Sequence, residues 1–325
     1  MTAVPTWTGT KPVSGAPLAV IAAVWLLARA ALSPWLQLQA TPWALLSPLF
    51  FLVLGVMLSV PLVRTRNYRN FQFLLLLALL CAADLVFVAT QLGWVETPPF
   101  EPLRFAANVV LLLIAVVGGR IVPLFTRNAL LKRGQQCSIA ATPWLERASL
   151  AAVVAVILVD VVRPQTPLAG VCAGVAAALL AARLCRWHGH RTLGMPIVWI
   201  LHAGYAWLAV ALALKSAWLL VQVPWAANWL HALTAGAFGT MILGVMTRVA
   251  LGHTGRDLVV GRPIAAAYWL VTLGAALRVG AAAVAPTLFV PVLFAAAALW
   301  GAAFLLFLVV YWPILSAPRT DAAPR

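Results

Sequence analysis

Residues 71–90 read FQFLLLLALLCAADLVFVAT and carry a single charged side chain, Asp84. A run of about 20 mostly apolar residues is long enough to cross the hydrocarbon core of a bilayer as an α-helix. The strands of an outer-membrane barrel alternate apolar and polar residues instead, and this stretch does not alternate. It therefore predicts a transmembrane helix.

The rest of the chain has the same character. Hydrophobic residues make up 64% of the 325 residues and charged residues only 9%, whereas an ordinary soluble domain is about a quarter charged. A soluble fold with so few charges could not cover its own surface. The composition excludes a cytosolic enzyme, a disordered tail and a coiled coil, and it favours an all-α polytopic membrane protein.

The apolar runs are separated by proline-rich or charged connections, which sets their number. We predict one bundle of about ten transmembrane helices, forming a single integral-membrane domain over residues 1–325. The predicted spans are residues 16–33, 43–63, 70–91, 103–124, 144–162, 166–186, 195–219, 226–247, 264–284 and 288–312.

The net charge is +15, and the positions of the 22 Lys and Arg residues indicate a topology. With a cytoplasmic N-terminus and ten spans, seventeen of them fall on the cytoplasmic side. Because cytoplasmic loops are enriched in Lys and Arg, both termini are predicted to be cytoplasmic. The charge then indicates contact with anionic membrane lipid rather than nucleic acid. The four cysteines lack CxxC spacing and indicate no zinc cluster.

Asp84 lies deep in the third span, where a carboxylate must pair, become protonated or face water. Lys215 and Arg278 lie at a similar predicted depth in spans 7 and 9 and are the expected partners. An ion pair between helices and a proton path both remain open at this stage.

Two of the five histidines lie within predicted spans. His202 is near the inner end of span 7, and His231 is near the outer end of span 8. Their predicted depths differ by roughly 13 Å, too far for one shared metal ion. Each is either a metal ligand or a histidine bonded to a neighbouring helix. His188 and His190 in the WHGHR loop, and His253 in the LGHTGRDL loop, are expected at the surface.

Span 8 also carries small residues at every fourth position, namely Ala232, Gly236, Thr240 and Gly244. Such a stripe makes one face of the helix smooth. It suits either close packing of helices or a flat cofactor lying against the face, and the periodicity does not separate the two.

Two glycine- and arginine-containing segments end on the predicted cytoplasmic face. Residues 116–130 read VVGGRIVPLFTRNAL, and residues 239–258 read GTMILGVMTRVALGHTGRDL. Arg120 and Arg248 could extend to lipid phosphate or hold an anionic group such as a haem propionate. We expect both side chains to approach one polar pocket near His202, with His253 if its loop folds back.

These segments carry a resemblance to a known family. GGRIVPLFTRNAL, WILHAGYAWL and HALTAGAFGTMILGVMTRVALGHTGR resemble signatures of the NnrS family, and so does the opening TAVPTWTG. The family consists of bacterial membrane proteins that contain haem and copper and are linked to nitric oxide and nitrosative stress. The resemblance implies the bacterial cytoplasmic membrane, with haem and copper as cofactors. In that context we predict that His202, His231, Arg120 and Arg248 bind the cofactor. The predicted metal ligands are His231, His202 and His253.

Family members usually have twelve spans, two of which precede the TAVPxWTG segment. The second of those carries a WHxHEM-type motif. The resemblance therefore implies that this chain corresponds to the last ten spans and lacks histidines near the level of His231. We expect low cofactor occupancy at the outer end and a cleft there, with His231 and the stripe from Gly236 to Gly244 as one wall.

Other functions are compatible with the same residues, and the sequence leaves any catalytic turnover and the oligomeric state open. A membrane transporter could use a polar path near Asp84, His202 and His231. A scaffold subunit would use its histidines only for structure.

Overall fold

The computed structural model describes residues 4–36, 38, 41–136, 138–139, 142–283 and 286–320. Within these residues all regular structure is helical, which confirms the all-α prediction. A π-helical segment, Ala232–Phe238, joins α9 to α10. The α-helices are α1 Val4–Thr8, α2 Ala16–Ala31, α3 Leu46–Arg64, α4 Phe71–Gln91, α5 Phe100–Lys132, α6 Pro143–Val162, α7 Pro167–Cys185, α8 Pro196–Val221, α9 Trp229–His231, α10 Gly239–His253, α11 Arg262–Gly280 and α12 Pro286–Ser316.

Each predicted span coincides with helical structure, and eight helical segments of the described chain are long and apolar enough to cross a bilayer. The other two are α2, which has 16 residues, and α6, whose 20 residues include Glu146, Arg147 and Asp160. The polytopic membrane fold is confirmed, and the number of crossings stays a prediction.

Proline marks where many of these helices begin. It occupies one of the first two positions of α2, α6, α7, α8 and α11. The first N–H groups of a helix have no acceptor within the helix, so a residue without an N–H costs nothing there. Pro143 and Pro167, which read as connection residues, therefore start α6 and α7.

Two helices extend beyond the predicted spans at the end that we expected to be cytoplasmic. α5 continues to Lys132 rather than ending near residue 124, and α10 continues to His253 rather than ending near residue 247. The extensions still bury side chains, with Leu130 fully buried on α5 and Leu251 6% exposed on α10. Packing of these apolar residues stabilises helical turns that the polar composition had suggested were loops.

The residues cluster in two compact units, Met1–Val109 and Val110–Arg325. In the first unit, Asp84 on α4 lies near Ser47 and Arg29, and the Arg29 Nη2 donates to Ser47 Oγ at 2.8 Å. The expected pairing of Asp84 with Lys215 or Arg278 is wrong. Both of those cations find acceptors among the helices of their own unit, as described below.

In the second unit, glycines bring helices into close contact. A Cβ atom added at Gly204 of α8 would lie 3.0 Å from the backbone nitrogen of Met241 on α10. Added at Gly274 of α11, it would lie 2.9 Å from the carbonyl oxygen of Ala296 and 2.9 Å from the backbone nitrogen of Trp300 on α12. Real Cβ atoms essentially never approach backbone as closely as at Gly274, so the contact between α11 and α12 depends on that glycine. The contact at Gly204 is tighter than most Cβ contacts.

Candidate functional site

The second unit contains two clefts, which we name by the predicted topology. The outer cleft is lined by His231, Thr234, Ala235, Gly274, Arg278, Leu293, Ala296, Ala297 and Trp300, and has a volume of about 590 Å³. The inner cleft is lined by residues from 125–133, 194–198, 248 and 257–260, and has a volume of about 410 Å³. They lie toward opposite ends of the α10 and α11 helices.

His231 points a ring nitrogen at the only cation that lines the described part of the outer cleft. The guanidinium Nη2 of Arg278 lies 2.5 Å from His231 Nε2. A guanidinium can only donate hydrogen bonds, so Nε2 is the acceptor and carries no proton. The hydrogen bond thus assigns the tautomer in which Nε2 is unprotonated, and this is the form that a metal ion requires once Arg278 moves aside.

The cleft wall differs from the expected one. His231 ends α9, and the π-helical segment then places Thr234 and Ala235 in the cleft. Trp300 closes the opposite wall and donates its Nε1–H to the Ala235 carbonyl at 3.2 Å. π-Helical turns are rare and occur often at functional sites. The wider π-helical turn contains an extra residue, so the side chains after His231 point in different directions from those they would take in an α-helix.

The small-residue stripe does not line the outer cleft. A Cβ atom added at Gly236 would lie 2.6 Å from the Trp207 ring, and one added at Gly244 would lie 2.9 Å from Ile200. Both glycines face α8, so the stripe serves helix packing there. The prediction that it forms the cofactor wall was wrong, because the face that carries it is already filled by α8.

The same contacts fix the relative depth of the two buried histidines. Gly204 faces Met241, and Ile200 faces Gly244, so α8 and α10 run antiparallel in a register that puts His231 level with about residue 213. His202 is eleven residues away along α8, an axial separation of about 16 Å at 1.5 Å per residue. The structure therefore agrees with the expectation that the two histidines cannot share a metal ion.

His202 is a well-packed core histidine. It is 8% exposed, and its Nε2 lies 2.8 Å from Thr126 Oγ1, which itself donates to the Val122 carbonyl at 2.8 Å. The Thr126 proton is thus engaged, so His202 Nε2 donates. The other ring nitrogen is covered by the WHGHR loop, since a Cβ atom added at Gly189 would lie 2.6 Å from Nδ1. This geometry leaves little room for a metal at either nitrogen.

Arg120 and Arg248 do not enter one pocket. Gly118 faces Tyr205 and Thr126 contacts His202, so the turn positions 118, 122 and 126 of α5 face α8. Arg120 lies two residues from both position 118 and position 122, which is a rotation of about 200° around the helix axis. Its side chain therefore points away from α8, and it is exposed. Arg248 lies in the inner cleft without Arg120. The expected grouping was wrong because the two arginines project from different faces.

His253, the remaining predicted metal ligand, lies outside both clefts. It is the last residue of α10 and is exposed, and it does not line the inner cleft. Among the described residues, no group of three or more His, Cys, Asp or Glu side chains converges as a metal ion would need. His188 and His190 are neighbours, with ring centroids 6.0 Å apart, but supply only two donors.

Two buried ion-pair sites were missed by the sequence analysis. At the outer end, Lys215 of α8 pairs with Asp160 of α6, both within 3% exposure, and its Nζ lies 4.6 Å from the Trp229 ring centroid. Asp160 reads as a span-end residue, but its charge is opposite to that of Lys215 and the two residues have a similar predicted depth. That match was the available signal.

The second missed site lies toward the inner end and explains the glycine pair in VVGGR. Arg183 of α7 pairs with Glu146 of α6 and donates to the Ala115 carbonyl at 3.0 Å and to Tyr205 Oη at 2.9 Å. A Cβ atom added at Gly119 would lie 2.0 Å from the Arg183 guanidinium. The glycine therefore admits a buried cation near the predicted cytoplasmic end of the span 166–186.

The family described as NnrS protein matches residues 1–319 of the chain. None of the curated proteins and none of the solved structures matches it.

Proposed function

Because the chain belongs to the NnrS family, we propose that it is a multi-pass protein of the bacterial cytoplasmic membrane that acts in the response to nitric oxide and nitrosative stress. We propose further that the outer cleft holds a haem. The family assignment supports the nitric oxide context, and the outer cleft supplies the local argument for haem.

The observation that carries the proposal is the unprotonated Nε2 of His231, which accepts from Arg278 inside a cleft of about 590 Å³. One histidine is enough to hold a haem iron, as the proximal histidine does in globins and peroxidases. The donor set of the outer cleft therefore fits a haem with a single protein ligand.

The other residues of the outer cleft suit the remaining parts of such a group. Leu293, Ala296 and Ala297 give an apolar wall. With a haem bound, the Arg278 guanidinium would release His231 Nε2 and bind a carboxylate of the porphyrin instead. Haem iron would supply the site that binds nitric oxide. The apolar wall would exclude water, and His231 would hold the iron in place.

Copper is implied by family resemblance alone. A copper centre needs several nitrogen or sulfur ligands at fixed geometry, and the described residues contain no such cluster. His202 is bonded to Thr126, while His188, His190 and His253 lie near the inner surface. No copper chemistry is derived from these residues.

The haem proposal is tested by absorption spectra of the purified full chain and of single variants. We expect a substoichiometric Soret band for the unmodified chain, because His231 is the one ligand that the described outer cleft offers. Removing a residue that only hydrogen-bonds to a metal ligand costs about 10–100-fold in metal affinity. Removing the ligand itself should cost more, so His231→Ala should remove the band almost entirely. Arg278→Gln should keep the band position and lower the occupancy.

The matched controls are the other histidines. His253→Ala changes an exposed residue at the opposite end and should leave the spectrum unchanged. His202→Ala should lower the melting temperature through loss of core packing without removing the Soret band. A full band in His231→Ala would contradict the assignment, and absence of haem from every preparation together with substrate flux would favour a transporter.

A further inference from the structure

The inner cleft combines a cationic rim with an apolar wall. Lys132, Arg133 and Arg248 contribute three positive charges to its lining, and Asp257 contributes one negative charge. The cleft takes no part in the haem proposal, because it lies at the other end of α10 from His231.

Arg248 is held in a geometry that presents its hydrogen-bond donors to the cleft. Its guanidinium carbon lies 3.7 Å from the Phe125 ring centroid, so one face of the plane rests on an aromatic ring. No hydrogen bond or ion pair engages Arg248 within the described part of the chain. A half-buried guanidinium with unengaged N–H groups is a strong hydrogen-bond donor for an oxyanion.

Arg133 is fixed beside it. The Arg133 Nη2 donates to the Gly194 carbonyl at 3.0 Å, which ties the end of α5 to the connection before α8. Lys132 is exposed on the adjacent position of α5 and has no fixed geometry of this kind. The rim therefore carries the guanidinium of Arg248 stacked on Phe125, the tethered guanidinium of Arg133 and the exposed ammonium of Lys132, against the single carboxylate of Asp257.

The wall of the inner cleft is apolar. Ile197 and Val198 from the first turn of α8 lie opposite Leu258, Val259 and Val260 from the connection after α10. An inorganic anion would leave these side chains unused. The lining therefore suits a ligand with an anionic head and an apolar tail.

We propose that the inner cleft binds a phosphate group joined to an apolar tail, which is the chemistry of an anionic phospholipid. Basic pockets between transmembrane helices on the cytoplasmic side characteristically bind such headgroups. Phosphate oxygens accept from Arg248 and Arg133, Lys132 adds charge at the mouth, and the first acyl carbons contact Leu258 and Val259. A free phosphate shares the head chemistry but gains nothing from the wall.

The test uses the full chain purified and delipidated in a neutral detergent. Binding is measured by native mass spectrometry and by the rise in melting temperature on titration. The ligands are phosphatidylglycerol, phosphatidylcholine and inorganic phosphate. We expect phosphatidylglycerol to bind and stabilise. Phosphatidylcholine should bind at least about tenfold more weakly, because its head has no net charge and each basic residue near an anionic head contributes about a fivefold factor. Inorganic phosphate should bind more weakly than phosphatidylglycerol because it leaves the apolar wall unused.

Arg248→Gln should weaken phosphatidylglycerol binding about tenfold, because the preorganised donors are lost. Arg248→Lys keeps the positive charge, so its affinity for phosphatidylglycerol should lie between those of the unmodified chain and Arg248→Gln. The matched control is Arg120→Gln, which removes an exposed arginine of α5 that does not line the cleft. Melting temperatures without added lipid report whether each variant is folded.

Three outcomes would overturn the proposal. Equal losses in Arg248→Gln and Arg120→Gln would mean that lipid responds only to total charge. Equal binding of phosphatidylcholine would remove the role of the anionic head. Equal stabilisation by inorganic phosphate would show a simple anion site, in which the apolar wall has no part. If Arg248→Gln is unfolded, Lys132→Gln with Arg133→Gln replaces it, and undiminished binding there would equally refute the proposal.

Discussion

Lys215 and Asp160 show how single charged residues are accommodated in an apolar chain. Both are almost fully buried, and the lysine also lies against Trp229. Removing two charges from water is costly, so such a pair adds little net stability over apolar replacements, but loss of one partner exposes the full cost for the other.

We predict that Lys215→Met lowers the melting temperature strongly, because the Asp160 carboxylate stays buried without its lysine. The expected cost is about 3–5 kcal/mol. The double variant Lys215→Met with Asp160→Leu should recover most of the loss. The measurement is thermal unfolding of the purified protein in one detergent.

Arg163→Gln is the control for this series, since it changes an exposed cation at the adjacent end of α6. It should leave the melting temperature unchanged. If Lys215→Met behaves like Arg163→Gln, the buried ion pair does not contribute as the geometry implies.

At the scale of helices, glycine decides how closely neighbours approach. Gly274 lets α11 reach the backbone of α12 at Ala296 and Trp300, and Trp300 forms one wall of the outer cleft. The outer cleft therefore depends on this contact as well as on its own lining residues.

We predict that Gly274→Ala destabilises the fold by about 1–3 kcal/mol, the usual cost of overpacking, and reduces haem occupancy because it displaces Trp300. Gly301→Ala is the matched control, because it lies within α12 with nothing within 4 Å of an added Cβ. It should be neutral or gain up to about 1 kcal/mol from helix propensity. Melting temperature and Soret absorbance are measured together, and equal behaviour of the two variants would contradict the packing argument.

At the scale of the whole chain, hydrogen bonds join several connections between helices within the second unit. Arg133 bonds to Gly194, Arg191 Nη2 donates to Gln135 Oε1 at 3.2 Å, and Thr320 Oγ1 donates to the Gly255 carbonyl at 2.7 Å. These connections share one end of that unit, and it is the end to which the charge pattern assigns the cytoplasm.

The topology prediction can be checked with reporters. A reporter fused after Arg325 should be active in a cytoplasmic format. One inserted between α6 and α7, after Arg163, should be active in a periplasmic format. Arg163 is exposed at the opposite end of α6 from Glu146, which makes the insertion point tolerant. Periplasmic activity of the fusion after Arg325 would contradict the predicted cytoplasmic C-terminus.

The sequence by itself determined the helical membrane fold, the approximate positions of its helices and the family. These depend on properties that act locally along the chain, namely apolar runs of sufficient length, prolines that start helices and motifs read in order. It also placed His202 and His231 at different depths, because a helix converts residue number into distance at a fixed rise.

Only the tertiary structure decided which residues meet. Lys215 has Asp160 rather than Asp84 as partner, Arg248 is in a cleft without Arg120, and the stripe at Gly236 is filled by Trp207. A contact between helices depends on the angle at which each side chain leaves its own helix and on which neighbour packs there. Two residues at the same depth can project from opposite faces, so depth and charge alone cannot choose between partners.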